Sequence, residues 1–146
     1  MSANHSKHYR KLEHMYLSAR CNEYYQPEIK IADKSAEVII PVGDKMFHAG
    51  GAVHGSVYFK ALDDAAYFSA NSIVMDAFVL TANFNIYLTR PISKGHMKAI
   101  GTVVHATRSQ IIAEAALYDE KYRLIAKGSG TYVKSRADLT EEMGYK

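Results

Sequence analysis

At 146 residues the chain is sized for one domain around one hydrophobic core, and 48% hydrophobic with 23% charged residues is an ordinary globular composition. A net charge of +3, spread without any Lys/Arg run, argues against a nucleic-acid partner, and no stretch approaches the ~18–20 apolar residues of a bilayer span. One cysteine, Cys21, allows no internal disulfide and no zinc pattern, so a cytoplasmic protein with no metal, no redox cofactor and no membrane partner is expected.

Residues 6–19 predict a short amphipathic helix, with Leu12, Met15, Tyr16 and Ala19 on one side and Ser6 as N-cap. It is weakly apolar, so it is expected to lie across something rather than form core. Residues 28–32 and 36–42 follow as a β-hairpin about Asp33-Lys34-Ser35. Residues 49–55 hold glycines at 50, 51 and 55 and read as a loop of close backbone approach. From Ser56 to about Ser72 apolar residues surround the helical circumference, which predicts a buried helix, too short to span a bilayer. In residues 78–88, Phe78, Leu80, Ala82, Phe84, Ile86 and Leu88 alternate with Val79, Thr81, Asn83, Asn85 and Tyr87, a period-2 strand pattern. Strands over 97–106, 111–119 and 124–134 complete an antiparallel meander with short turns.

One long apolar helix with a curved antiparallel sheet is an α+β layer architecture, the hotdog arrangement, over residues 1–146 with its core in about 28–134. Its sheet edges need covering, and dimerisation that pairs edge strands is expected. Asp63 and Asp64 lie amid apolar helix residues, where carboxylates are rare unless paired or functional. Adjacent helical residues point about 100° apart, so only one of the two is expected at a given site. The glycine-rich segment His48–Ser56 runs into the helix N-terminus, whose free N–H groups suit stabilisation of an oxyanion. His48 and His54, with no third ligand, do not make a metal site.

The segment His54-Gly55-Ser56-Val57-Tyr58-Phe59-Lys60-Ala61-Leu62-Asp63-Asp64-Ala65 resembles the His-Gly-Gly…Asp signature of hotdog thioesterases of the phenylacetate-pathway and hydroxybenzoyl-CoA type. The resemblance continues through Ala70-Asn71-Ser72 and Thr81–Pro91, covering about residues 30–134. It implies hydrolysis of an acyl-CoA thioester, with coenzyme A entering as part of the substrate. It implies Asp63 as nucleophile or general base, Gly55 as the amide that polarises the carbonyl, and His54 as the residue shaping the loop. It also implies a homodimer or homotetramer with active sites at the subunit interface, and Thr81 as a holder of the attacking water, supplied from the partner subunit. Two positions depart from the family: Ser56 replaces the second glycine, and His48 stands where many relatives carry an Asn, which bears on rate and pH dependence. Ser56, Asn71, Arg90, Arg108 and Lys134 are the expected substrate contacts, the cations for the coenzyme A phosphates. A non-catalytic acyl-CoA-binding protein and a hotdog dehydratase using His48 with Asp63 are the competing readings. The acyl group, and the choice between coenzyme A and an acyl carrier protein, are left open.

Overall fold

The computed structural model describes residues 2–146. Helix α1 (Ala3–Ser18) and the single turn α2 (Asn22–Tyr25) precede the hairpin β1 (Glu28–Ala32) and β2 (Ser35–Pro41). The long helix α3 (Gly55–Asn71) follows, then β3 (Ala77–Leu88), β4 (His96–Ala106), β5 (Ile111–Tyr118) and β6 (Leu124–Asp138). The six strands form one antiparallel sheet in the order β1-β2-β4-β5-β6-β3. The sheet curves around α3, whose Ala61, Leu62, Ala65, Ala66 and Ala70 are wholly buried. This is the hotdog fold.

Small residues let helix and sheet meet. A side chain at Gly101 of β4 would run into the backbone of Ala65, so glycine here is a packing requirement rather than a turn residue. The same holds for Gly128 and Gly130 of β6, where an added Cβ would fall 2.5 and 2.7 Å from the ring of Phe84.

Two expectations are corrected. Helix α1 begins at Ala3 with Ser2 as its N-cap, so Ser6 lies inside it. Its Tyr9, Leu12, Met15 and Tyr16 belong to the core rather than lying across it, while Ala19 is exposed. The simple alternation of β3 also fails, because the pairing with β6 slips between Thr81 and Asn83. The bulge at Ala82 reverses the phase. Val79 is fully buried and Thr81 reaches the helix; beyond the bulge Phe84 turns inward and meets Phe59 of α3 edge-on at 5.6 Å between ring centres.

β3 is a sheet edge twelve residues long, and Leu80, Tyr87 and Leu88 are exposed on it. No helix is long and apolar enough to cross a membrane, and no group of three metal-ligating side chains occurs, among the described residues.

Candidate active site

Asp63 sits two turns into α3, where burial pushes its carboxyl above the ordinary value of 3.8. Two hydroxyls oppose that shift by donating to the charged form. Tyr132 of β6 donates to Oδ1 at 3.0 Å, and Thr81 of β3 donates to Oδ1 at 3.1 Å, with Oδ2 at 3.4 Å. The charge of Asp64 adds to the upward shift. Thr81 therefore reaches the Asp63 of its own chain, where the partner subunit was expected to supply it.

Both aspartates line one cavity of about 350 Å³, where one of the two was expected. Asp64 does not stand free in it. Its Oδ2 accepts from the Tyr16 hydroxyl at 2.7 Å and pairs with Lys60 Nζ at 2.6 Å. Burial raises the Asp64 carboxyl, and Lys60 then Tyr16 oppose the shift. Met15, Phe68, Phe78 and Leu80 give the same cavity an apolar wall, and Cys21 opens onto it. Tyr67 adds a ring whose hydroxyl is held by the carbonyl of Val79 at 2.7 Å.

The helix N-terminus lies elsewhere. His54 is the N-cap of α3, and both the N–H (3.1 Å) and the hydroxyl (2.8 Å) of Ser56 are directed at its Nδ1. Gly55 is the first residue of the helix, where no intrahelical carbonyl is available to its N–H. A second cavity of about 330 Å³ brings Gly55 together with His48, Tyr58, Leu88, Thr89 and Arg90. His48 Nδ1 accepts the N–H of Gly50 at 2.9 Å, which closes the loop. Eight residues separate Gly55 from Asp63, about 12 Å along the helix and about 80° around it. The two cavities share no lining residue.

Of the expected substrate contacts, Arg90 opens onto the Gly55 cavity. Asn71 is a correction. It is fully buried at the end of α3, and its amide donates to the carbonyls of Val74 and Ala77, so it closes the helix rather than meeting a substrate. Arg108, in the exposed turn between β4 and β5, and Lys134, paired with Asp76 at 3.4 Å, line neither cavity.

Residues 50–126, more than half of the chain, match the family model of the thioesterase superfamily. The chain belongs to the thioesterase superfamily. An esterase candidate of Thermoplasma volcanium is 26% identical over 113 residues, 77% of this chain and 84% of that protein. Another, from Saccharolobus solfataricus, is 26% identical over 98 residues, 67% of this chain and 65% of that relative, so the match spans just under two thirds of it. Among solved structures, the PaaI protein of the Escherichia coli phenylacetic acid degradation operon superposes with a TM-score of 0.85 at 18% identity, over 94% of this chain and all of that one. A thioesterase of Haemophilus influenzae gives 0.75 at 17% identity, over 82% and 85%. At these identities the superpositions speak for the fold alone.

Tyr132, Tyr16 and Lys60 are the site residues that the sequence does not announce. The one available signal is position: Lys60 stands four residues before Asp64 on α3, the spacing of a helical ion pair. Tyr132 and Tyr16 come from distant segments and carry no local mark.

Proposed function

We propose that this chain hydrolyses acyl-CoA-type thioesters, with Asp63 as general base. The observation that carries the reading is a carboxylate inside an apolar helix, held by two hydroxyls at an open cavity, in a chain of the thioesterase superfamily. Thr81, having donated its proton to Asp63, keeps lone pairs that can accept from a water. Asp63 takes one proton from that water, and the new oxygen bonds to the thioester carbon. The C–S bond then breaks, the thiolate receives the proton, and a carboxylic acid is released. Water is the only co-reactant.

The developing oxyanion needs donors, and the free N–H of Gly55 at the α3 N-terminus is the suited one. Gly55 and Asp63 open into different cavities within one chain. The reading therefore joins the Gly55 of one copy to the Asp63 of a second, in a homodimer formed along the exposed β3 edge. Arg90, beside Gly55, is placed to meet the phosphates of coenzyme A. The single cysteine fits action in the reducing cytoplasm.

The test is thiol release from benzoyl-CoA, hexanoyl-CoA and a small panel around them, for wild type and Asp63→Asn. Turnover by wild type with a loss on the order of a hundredfold or more in the variant is the expected result. Binding of the whole panel without turnover overturns the hydrolase and leaves an acyl-CoA-binding protein.

A further inference from the structure

The two oxygens of Asp63 are not equivalent. Oδ1 accepts from Tyr132 at 3.0 Å and from Thr81 at 3.1 Å, while Oδ2 has only the longer 3.4 Å contact to Thr81. Each hydroxyl carries one proton, so both protons go to Oδ1 and Oδ2 is left for chemistry. Tyr132 is fully buried on β6, and its ring lies edge-on to Tyr67 at 6.1 Å. Its hydroxyl is therefore fixed by packing before any substrate arrives. Tyr132 is the cross-strand partner of Thr81 on the neighbouring strand, and it is buried where Thr81 is exposed.

The geometry points to Tyr132 as a positioning residue that pins Oδ1 of Asp63 and so makes Oδ2 the oxygen that takes the proton from water. This rests on Asp63 being the base, and it adds a residue that acts without touching substrate. A carboxylate free to rotate about its Cβ–Cγ bond offers either oxygen at a range of angles, and misplacement by about 1 Å costs on the order of a hundredfold in rate. Tyr132 also donates to the ionised form, so its loss favours protonation of Asp63.

The experiment is a pH–rate profile for Tyr132→Phe on whichever of benzoyl-CoA and hexanoyl-CoA the wild type turns over faster. The expected result is a kcat lower by about tenfold or more with KM within about twofold, and an acid limb displaced to higher pH. A kcat and acid limb equal to wild type, or a rise in KM alone, makes Tyr132 a wall and overturns the assignment. A second measurement does not depend on that variant folding: the hydroxyl proton resonance of Tyr132 in wild type and in Asp63→Asn. A downfield resonance that moves upfield in the variant supports the bond, and one that does not move sinks it. Retained turnover in Asp63→Asn would sink the base itself, whereas an inactive Asp63→Asn beside a wild-type-like Tyr132→Phe sinks only the role of Tyr132.

Discussion

Gly55 and Asp63 belong to one helix, yet the first residue of that helix and its ninth face different cavities. If one thioester must meet both, each site takes its amide from one copy and its carboxylate from another. Complementation tests this. Asp63→Asn removes the base, and Gly55→Val covers the amide, its Cβ falling 3.0 Å from Leu88. Mixed one-to-one and allowed to exchange subunits, the two inactive chains form half heterodimers, each with one intact site. Activity should return to about a quarter of wild type. No recovery after proven exchange would place both groups in one chain.

Removing the base should stabilise the fold at neutral pH. Burial raises the folded-state pKa of Asp63 above 3.8, so the folded state holds its proton more tightly than the unfolded chain. Stability is therefore lost as pH rises from that ordinary value through the raised one. Asn escapes this loss and can still accept from Tyr132 and Thr81. Asp63→Asn should melt roughly 2–4 °C above wild type at pH 7, and the gap should close in acid. Melting curves at pH 7 and below pH 4 check it; a variant less stable at pH 7 contradicts it.

Asp64 calls for the opposite result. Its side chain is 15% exposed and it shares its charge with Lys60 and the hydroxyl of Tyr16. Lys60→Met keeps most of the stem and removes the cation, leaving a buried carboxylate with one neutral donor. The expected loss is about 1–3 kcal/mol at pH 7 by urea unfolding, shrinking in acid as Asp64 takes up a proton. Tyr16→Phe should cost about 1 kcal/mol, and the double variant should depart from additivity because both groups serve one oxygen. Strictly additive losses would separate Tyr16 from Lys60.

The elements of this fold are legible in the sequence because each has a local period: α3 in its all-round apolar residues, β4 to β6 in short runs closed by turns. Asp63 is legible for the same reason, as a charge breaking an apolar pattern. What surrounds it is not. Tyr132 lies 69 residues away and meets Asp63 only through the pairing of β6 with β3. Thr81 reaches the helix on the inward phase of β3, and Phe84 shares that side only because Ala82 bulges; a strict two-residue alternation puts one of them outside. Helix α1 looks peripheral by its weak apolar stripe, but Tyr16 supplies both core packing and a bond to Asp64.

The glycines separate close approach from backbone conformation. Gly101 has an ordinary strand conformation, and a methyl group there would strike the backbone of Ala65, which cannot move without shifting α3. Gly51 has φ +81° and open space around it, so alanine there meets backbone strain alone. Gly101→Ala should lose about 3 kcal/mol or more by overpacking, and Gly51→Ala about 1–2 kcal/mol. Because α3 carries Asp63, Gly101→Ala should also depress thioester turnover at temperatures where the chain remains folded, while Gly51→Ala should act on the His48 loop and the Gly55 cavity beside it. Urea midpoints at constant m-value measure the stabilities. Equal losses at the two positions would mean that α3 gives way at Ala65, and that the sheet does not fix the height of the helix that bears the base.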